Sequence, residues 1–210
     1  MKKIGKLTAA LMLAVVFLVG CGGVVLPEVI DSTTVSVGED GQITYYLTGV
    51  FDKDYYKVSE LSQMAIEEAK SFNESWNGKI TAGESTVAPV TVTNVQQLSD
   101  GKDTVVVTYR FGNWECYTKF NDTELFYGTV GEAIQKGYSV NVTLKSVKDG
   151  SSFTGEQLKQ TTDKYIIITD LKANVYCPGK IAYISEGASV NGDGSINTNG
   201  ADGLVYIIMK

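Results

Sequence analysis

The chain has 210 residues, a formal net charge of −6 and no histidine. The missing histidine excludes Ser-His-Asp and Cys-His catalysis and histidine-bearing zinc sites, and the acidic balance with a single arginine, Arg110, argues against nucleic acid as a partner. An ordinary hydrophobic share of 43% supports a packed core in one large domain or two small ones.

Lys2, Lys3 and Lys6 form a basic start, and Leu7 to Val19 is an uncharged apolar run. That run is shorter than the roughly 20 residues of a spanning helix, so it reads as a secretory signal. Leu18-Val19-Gly20-Cys21 resembles a bacterial lipobox. The resemblance implies cleavage before Cys21, diacylglycerol on its sulfur and palmitate-type acylation of the new amino group. Several acyl chains on one residue make a lasting anchor, since each buried CH₂ contributes about 0.8 kcal/mol. The expected division is a removed signal over 1–20, a tether over 21–34 and a globular domain over 35–210, with a sub-boundary near 145. The expected address is extracytoplasmic, lipid-anchored to the cell membrane. Removing the signal takes three lysines and no acid, so the remainder is still more acidic.

Thr34 to Gly49 predicts a hairpin turning at Asp40-Gly41. Lys57 to about Ser75 predicts a helix: Val58, Leu61, Met64, Ala65, Ala69 and Phe72 recur at three and four, with Ser59 as N-cap. Glu67 and Glu68 are neighbours on that helix and do not face each other, so they read as a solvated face. Thr86 to Tyr109 predicts a second hairpin, turning at Ser99 to Lys102, and Val105-Val106-Val107 marks a central strand. Gly112-Asn113 opens a short helix from Trp114 to Phe120, with Trp114, Tyr117 and Phe120 in one stripe. Thr129 with Glu132, and Thr154 with Gln157, are capping boxes. Tyr138 to Val147 alternates as a strand, and Lys164 to Thr169 reads as a buried one. Asn174 to Cys177 and Lys180 to Ser185 flank Pro178-Gly179, which suits a type II turn. Leu204 to Met209 is a last apolar strand. The fold class is therefore α+β: antiparallel sheets with a few packed helices and a strand-rich C-terminal portion.

Chemistry is sparse in the sequence. Asn191 to Ser195 places oxygens at alternate positions but lacks the glycine and the glutamate of a calcium loop. Asn141-Val142-Thr143 is a sequon by pattern alone. No catalytic residue, metal site or cofactor is indicated. Cys116 and Cys177 form either a disulfide or two separate buried thiols; a bridge over so long a loop would contribute ~4 kcal/mol. Twelve tyrosines are present. Most suit sheet and core, and Tyr55 and Tyr56 with Trp114 form the candidate aromatic ligand contact.

Asp52-Lys53-Asp54-Tyr55-Tyr56, Leu125 to Val130 with Glu132-Ala133-Ile134, and Pro178-Gly179-Lys180-Ile181 with Tyr183 to Gly187 are similar to uncharacterised lipoproteins of Gram-positive gut bacteria. That resemblance implies no activity, and Cys116 and Cys177 depart from its usual pattern. The functional expectation is a membrane-tethered, non-enzymatic binding or interaction module. Its partner would be a surface protein, peptide or glycan. A carboxylate-based glycan-active enzyme or accessory protein and a structural envelope protein are the alternatives.

Overall fold

A computed structural model describes Leu26 and residues 30–83, 85–99 and 103–210. The lipobox, Cys21 and the turn residues 100–102 lie outside the described residues. Among the described residues the fold is α+β, with four helices and three mostly antiparallel sheets. No helix among them is long and apolar enough to cross a membrane.

The first hairpin is β1 (Thr34–Val37) and β2 (Ile43–Val50). Gly41 turns it at φ 79°, a conformation that glycine adopts without steric cost. Helix α1 spans Val58–Ser75. Lys57, not Ser59, holds the N-cap position, and it supplies no side-chain cap. Its ammonium instead meets Glu60 at 2.8 Å. The face that enters the core is Leu61, Ala65, Ala69, Phe72 and Trp76. Met64 lies off that stripe and is 66% exposed. Strands β3 (Ile80–Ala82) and β4 (Ser85–Val87) then form a small separate sheet, so Val87 does not belong to the second hairpin.

That hairpin is β5 (Val90–Gln97) and β6 (Thr104–Phe111). Strand β6 lies between β2 and β5, and all of it is buried except Arg110. The valine run is thus a central strand, as its two-sided apolar pattern requires. After it come α2 (Trp114–Asn121), β7 (Leu125–Thr129), α3 (Val130–Gln135), β8 (Leu144–Ser146), β9 (Ser152–Phe153) and α4 (Gly155–Lys159). The chain finishes with β10 (Tyr165–Thr169), β11 (Asn174–Tyr176), β12 (Ile181–Ser185), β13 (Ser189–Val190), β14 (Ile196–Asn197) and β15 (Val205–Met209).

One sheet runs β13-β14-β11-β1-β2-β6-β5 and the other β7-β10-β15-β12-β8-β9. Strands from before and after residue 145 occur in both. The pairing of β1 with β11 is parallel, Val35 opposite Val175, and it joins segments 140 residues apart. Already at Ser32 and Thr33 the chain bonds to this sheet: Asn174 donates its N–H to Thr33 O at 3.0 Å and its side-chain amide to Ser32 Oγ at 3.1 Å.

Two expected elements differ. Of Tyr138 to Val147 only β8 is strand; Tyr138, Val140 and Val142 pack into the core without a ladder. Strands β11 and β12 lie in different sheets, and Pro178-Gly179 carries the chain from one to the other. Gly179 is not among the glycines with positive φ, which a type II turn requires there.

The six-stranded sheet is apolar on both faces. Ile167 of β10 and Val205, Ile207 and Met209 of β15 face a cluster shared with β1, β2, β6, α1 and α2. The alternate residues Ile166, Ile168, Tyr206 and Ile208 face a second cluster, closed by Val130 and Ala133 of α3 and Leu158 of α4. Successive strand residues point to opposite faces, so β10 and β15 tie the two clusters together. This arrangement fixes β7 at the sheet edge, with α2 before it and α3 after it.

Candidate functional site

A groove of about 530 Å³ opens where α2, β7 and α3 meet. Asn113, Trp114 and Glu115 line it from the start of α2, Phe126 and Tyr127 from β7, and Glu132, Gln135 and Lys136 from α3.

Each wall is set locally. Gly112 ends β6 where a Cβ would lie 2.8 Å from Ile80 Cγ2 and 3.1 Å from Ala88 O, so glycine lets the turn close onto the small sheet. Asn113 then caps α2, its Oδ1 accepting from Cys116 N–H at 2.9 Å. That cap directs Trp114 outward onto Phe126, ring centroids 5.1 Å apart and edge to face. On the other wall the capping box of α3 is complete. Glu132 Oε2 accepts from Thr129 N–H at 2.7 Å and from its hydroxyl at 3.0 Å, while Glu132 N–H donates back to Thr129 Oγ1 at 3.2 Å. Lys136 ends the helix, and Gly137 follows at φ 92°.

Lys136 closes one end of the groove. Its ammonium lies 5.0 Å from the Trp114 ring centroid and 2.9 Å from Glu115 Oε1. Both ionic side chains are about half exposed, so the pair contributes at most ~1 kcal/mol. Behind Phe126, Tyr138 donates its hydroxyl to Glu124. Burial, then that carboxylate, pushes the Tyr138 phenol well up.

The floor of the groove is the free edge of β7. Beside β10, Asp170 N–H donates to Glu124 O at 3.3 Å and Val130 N–H to Lys164 O at 2.8 Å. Bonding alternates along an antiparallel pair, so Phe126 and Gly128 also bond toward β10. Leu125, Tyr127 and Thr129 therefore point their backbone groups away from it. Leu125 is satisfied by Thr118, whose hydroxyl accepts its N–H at 3.1 Å and donates to its carbonyl at 3.0 Å. Thr129 N–H is satisfied by Glu132. Tyr127 has no partner for its outward N–H and C=O among the described residues. Its side chain leaves on the face of the strand that carries the shared core, where the ring stacks on Tyr165 at 5.5 Å. Burial, then Tyr165, pushes its phenol up to about 12.

The predicted aromatic contact is not one site. Tyr55 and Tyr56 lie in the loop after β2, where Tyr55 touches Tyr56 and Tyr56 touches Phe51. That loop adjoins the start of β6, since Val50 faces Thr104. Trp114 follows the other end, where Ile43 faces Phe111. The eight residues of β6 separate the two groups by roughly 25 Å at the usual rise per residue. The stripe on α2 also divides. Tyr117 is fully buried, Phe120 packs on the core, and Trp114 lines the groove. Cys116 and Cys177 are free, buried thiols within the same cluster. Burial pushes them up to about 11 and about 12.

Of the residues that line the groove, the sequence singled out Trp114 by type and Asn113 and Glu132 as caps, and it left Glu115, Gln135, Lys136 and the edge at Tyr127 unmarked. The Glu115–Lys136 pair joins two helices with β7 between them, and no spacing rule marks it.

In the Asn191–Ser195 loop, Asp193 spends both carboxylate oxygens on its own surroundings. Oδ1 accepts from Ser195 N–H at 3.0 Å and from Ser195 Oγ at 2.7 Å, and Oδ2 accepts from Tyr176 at 2.5 Å. Compared with protein-family models, curated proteins and solved structures, the chain has no match.

Proposed function

We propose that the chain is a lipid-anchored, extracytoplasmic module that binds a ligand in the groove between α2 and α3. The single observation that carries the binding reading is the composition of this groove. An aromatic side chain, Trp114, stands beside a charged rim, Lys136 with Glu115, above a strand edge where the Tyr127 donor and acceptor have no partner among the described residues. Concave sites with an apolar wall and a few convergent polar groups are the usual form of a ligand site.

The two acids argue for binding rather than catalysis. Glu132 is held by the cap of α3, and Glu115 is paired with Lys136. A glycosidase pair requires one carboxyl free to donate a proton and another to attack or to activate water. The anchor reading rests on the basic start, the apolar run and the lipobox ending in Cys21.

Intact mass of the membrane-extracted protein tests the anchor. Loss of residues 1–20 with added acyl mass is expected, and a Cys21→Ala variant that stays equally membrane-bound overturns it. Binding is tested on glycan and peptide arrays with the wild type and Trp114→Ala. A hit that weakens at least tenfold in the variant supports the groove, and hits that ignore it overturn the assignment.

A further inference from the structure

Resting on the reading of the groove as a ligand site, we infer that its ligand is an extended peptide segment paired through its backbone to Tyr127. Leu125 and Thr129 on the same edge are already bonded by Thr118 and Glu132, which leaves one residue open. Tyr127 offers an N–H and a C=O side by side. The complementary partner presents a C=O and an N–H side by side at the same spacing, which one residue of an extended chain supplies. An N-acetyl group does not, because the N–H and C=O of a trans amide point opposite ways.

The register also assigns the ligand's side chains. The residue opposite Tyr127 points its side chain to the Tyr165 face, and its two neighbours point theirs to the Phe126 face. On that face stand Trp114, Glu115 and Lys136. Two groove carboxylates, Glu115 and Glu132, outnumber the one ammonium of Lys136, and the whole chain is acidic. The matching segment carries an apolar or aromatic residue to lie on Trp114 and a lysine or arginine to meet the surplus charge. Proline is excluded at the pairing position, since it has no N–H to donate to Tyr127 C=O.

A displayed library of random heptapeptides, screened against the full-length protein, supplies the probe, with N-acetylglucosamine oligomers run beside it. Enriched peptides are expected to share a basic residue within two positions of an apolar one. Methylating one backbone nitrogen of the best peptide should weaken binding at least tenfold, and methylating either neighbour less than threefold. Binding should also slow exchange of the Tyr127 amide hydrogen at least tenfold. Both readouts use the wild-type protein and do not depend on a variant folding. Glu115→Gln, at a half-exposed site, removes a carboxylate that the ligand's basic residue meets and should weaken binding, and Met64→Ser, on the far helix, should not. Bound peptides with a flat methylation scan and an unprotected Tyr127 amide overturn the pairing. Sugar oligomers that bind in a Trp114-dependent way while no peptide does overturn the peptide class and leave the groove in place. Binding of either probe that ignores both Trp114→Ala and Glu115→Gln overturns the groove itself.

Discussion

Asn73 grips Val90 at both ends of its backbone. Its side-chain amide donates to Val90 O at 2.8 Å, and its Oδ1 accepts from Val90 N–H at 2.9 Å. The last turns of α1 thereby meet the first residue of β5 much as another strand would. Val90 is buried, so Asn73→Ala leaves a donor and an acceptor without a partner. A loss of about 1–3 kcal/mol is expected, read as a lower urea midpoint at unchanged slope. Asn73→Asp removes only the donor but adds a charge facing a carbonyl, and it should be no milder.

Tyr117 presents the opposite case. Its ring is fully buried against Tyr45 and Phe111, and its hydroxyl has no hydrogen-bond partner among the described residues. Burial pushes the phenol far up. Tyr117→Phe removes a desolvated polar atom and keeps the ring. It is expected to leave stability unchanged or raise it by up to ~1–2 kcal/mol, while Tyr117→Ala should cost about 3–5 kcal/mol. Thermal unfolding of the two variants decides this, and a clear loss in Tyr117→Phe would show that the hydroxyl is bonded.

The thiols give a chemical test of the core. Cys116 and Cys177 are free, and burial pushes both well above the ordinary thiol range. The thiolate is the reactive form, so neither should alkylate in the native protein at pH 8. Both should alkylate in denaturant. Mass spectrometry counts the adducts, and a native mass two hydrogens lighter, with no adduct after unfolding, would reveal a bridge.

Acid should loosen the end of the seven-stranded sheet. The Tyr176 hydroxyl, then the Ser195 hydroxyl and N–H, hold the Asp193 carboxyl below its usual range. A folded value lowered this way contributes stability above the unfolded value, and that contribution is lost as pH falls through the lowered one. Asp193 is exposed, so after screening by solvent it is worth at most ~1 kcal/mol. Asp193→Asn should therefore lower the melting temperature slightly at pH 7. The gap from wild type should close below the ordinary carboxylate range near 4. A gap that stays constant to pH 2 would remove the carboxylate from the account.

Elements whose determinants are local were legible in the sequence. Asp40-Gly41, the boxes at Thr129 and Thr154 and the Asn113 cap each act within a few residues, and all are found where their spacing placed them. The valine run of β6 was legible because burial on both faces leaves a mark of its own. Tyr138 to Val147 misled because its alternation is real but serves packing without pairing. At Gly155, which opens α4, a Cβ would lie 2.5 Å from Val140 O, so a helix start occupies the place a ladder would need. The crossing at Pro178-Gly179 was hidden because β11 pairs with β1 and β12 with β15, relations that no local window contains. For the same reason Trp114 was recognisable by type, while its neighbours in the groove were not.

The short opening on β7 bears on how copies of the protein behave when crowded. A bare sheet edge templates the addition of further strands, and identical molecules held close together are the ones most exposed to that fate. Here Thr118 and Glu132 close the positions on either side of Tyr127. Two molecules meeting through their β7 edges find one residue to share and nothing to extend from, so this edge does not grow into a stack.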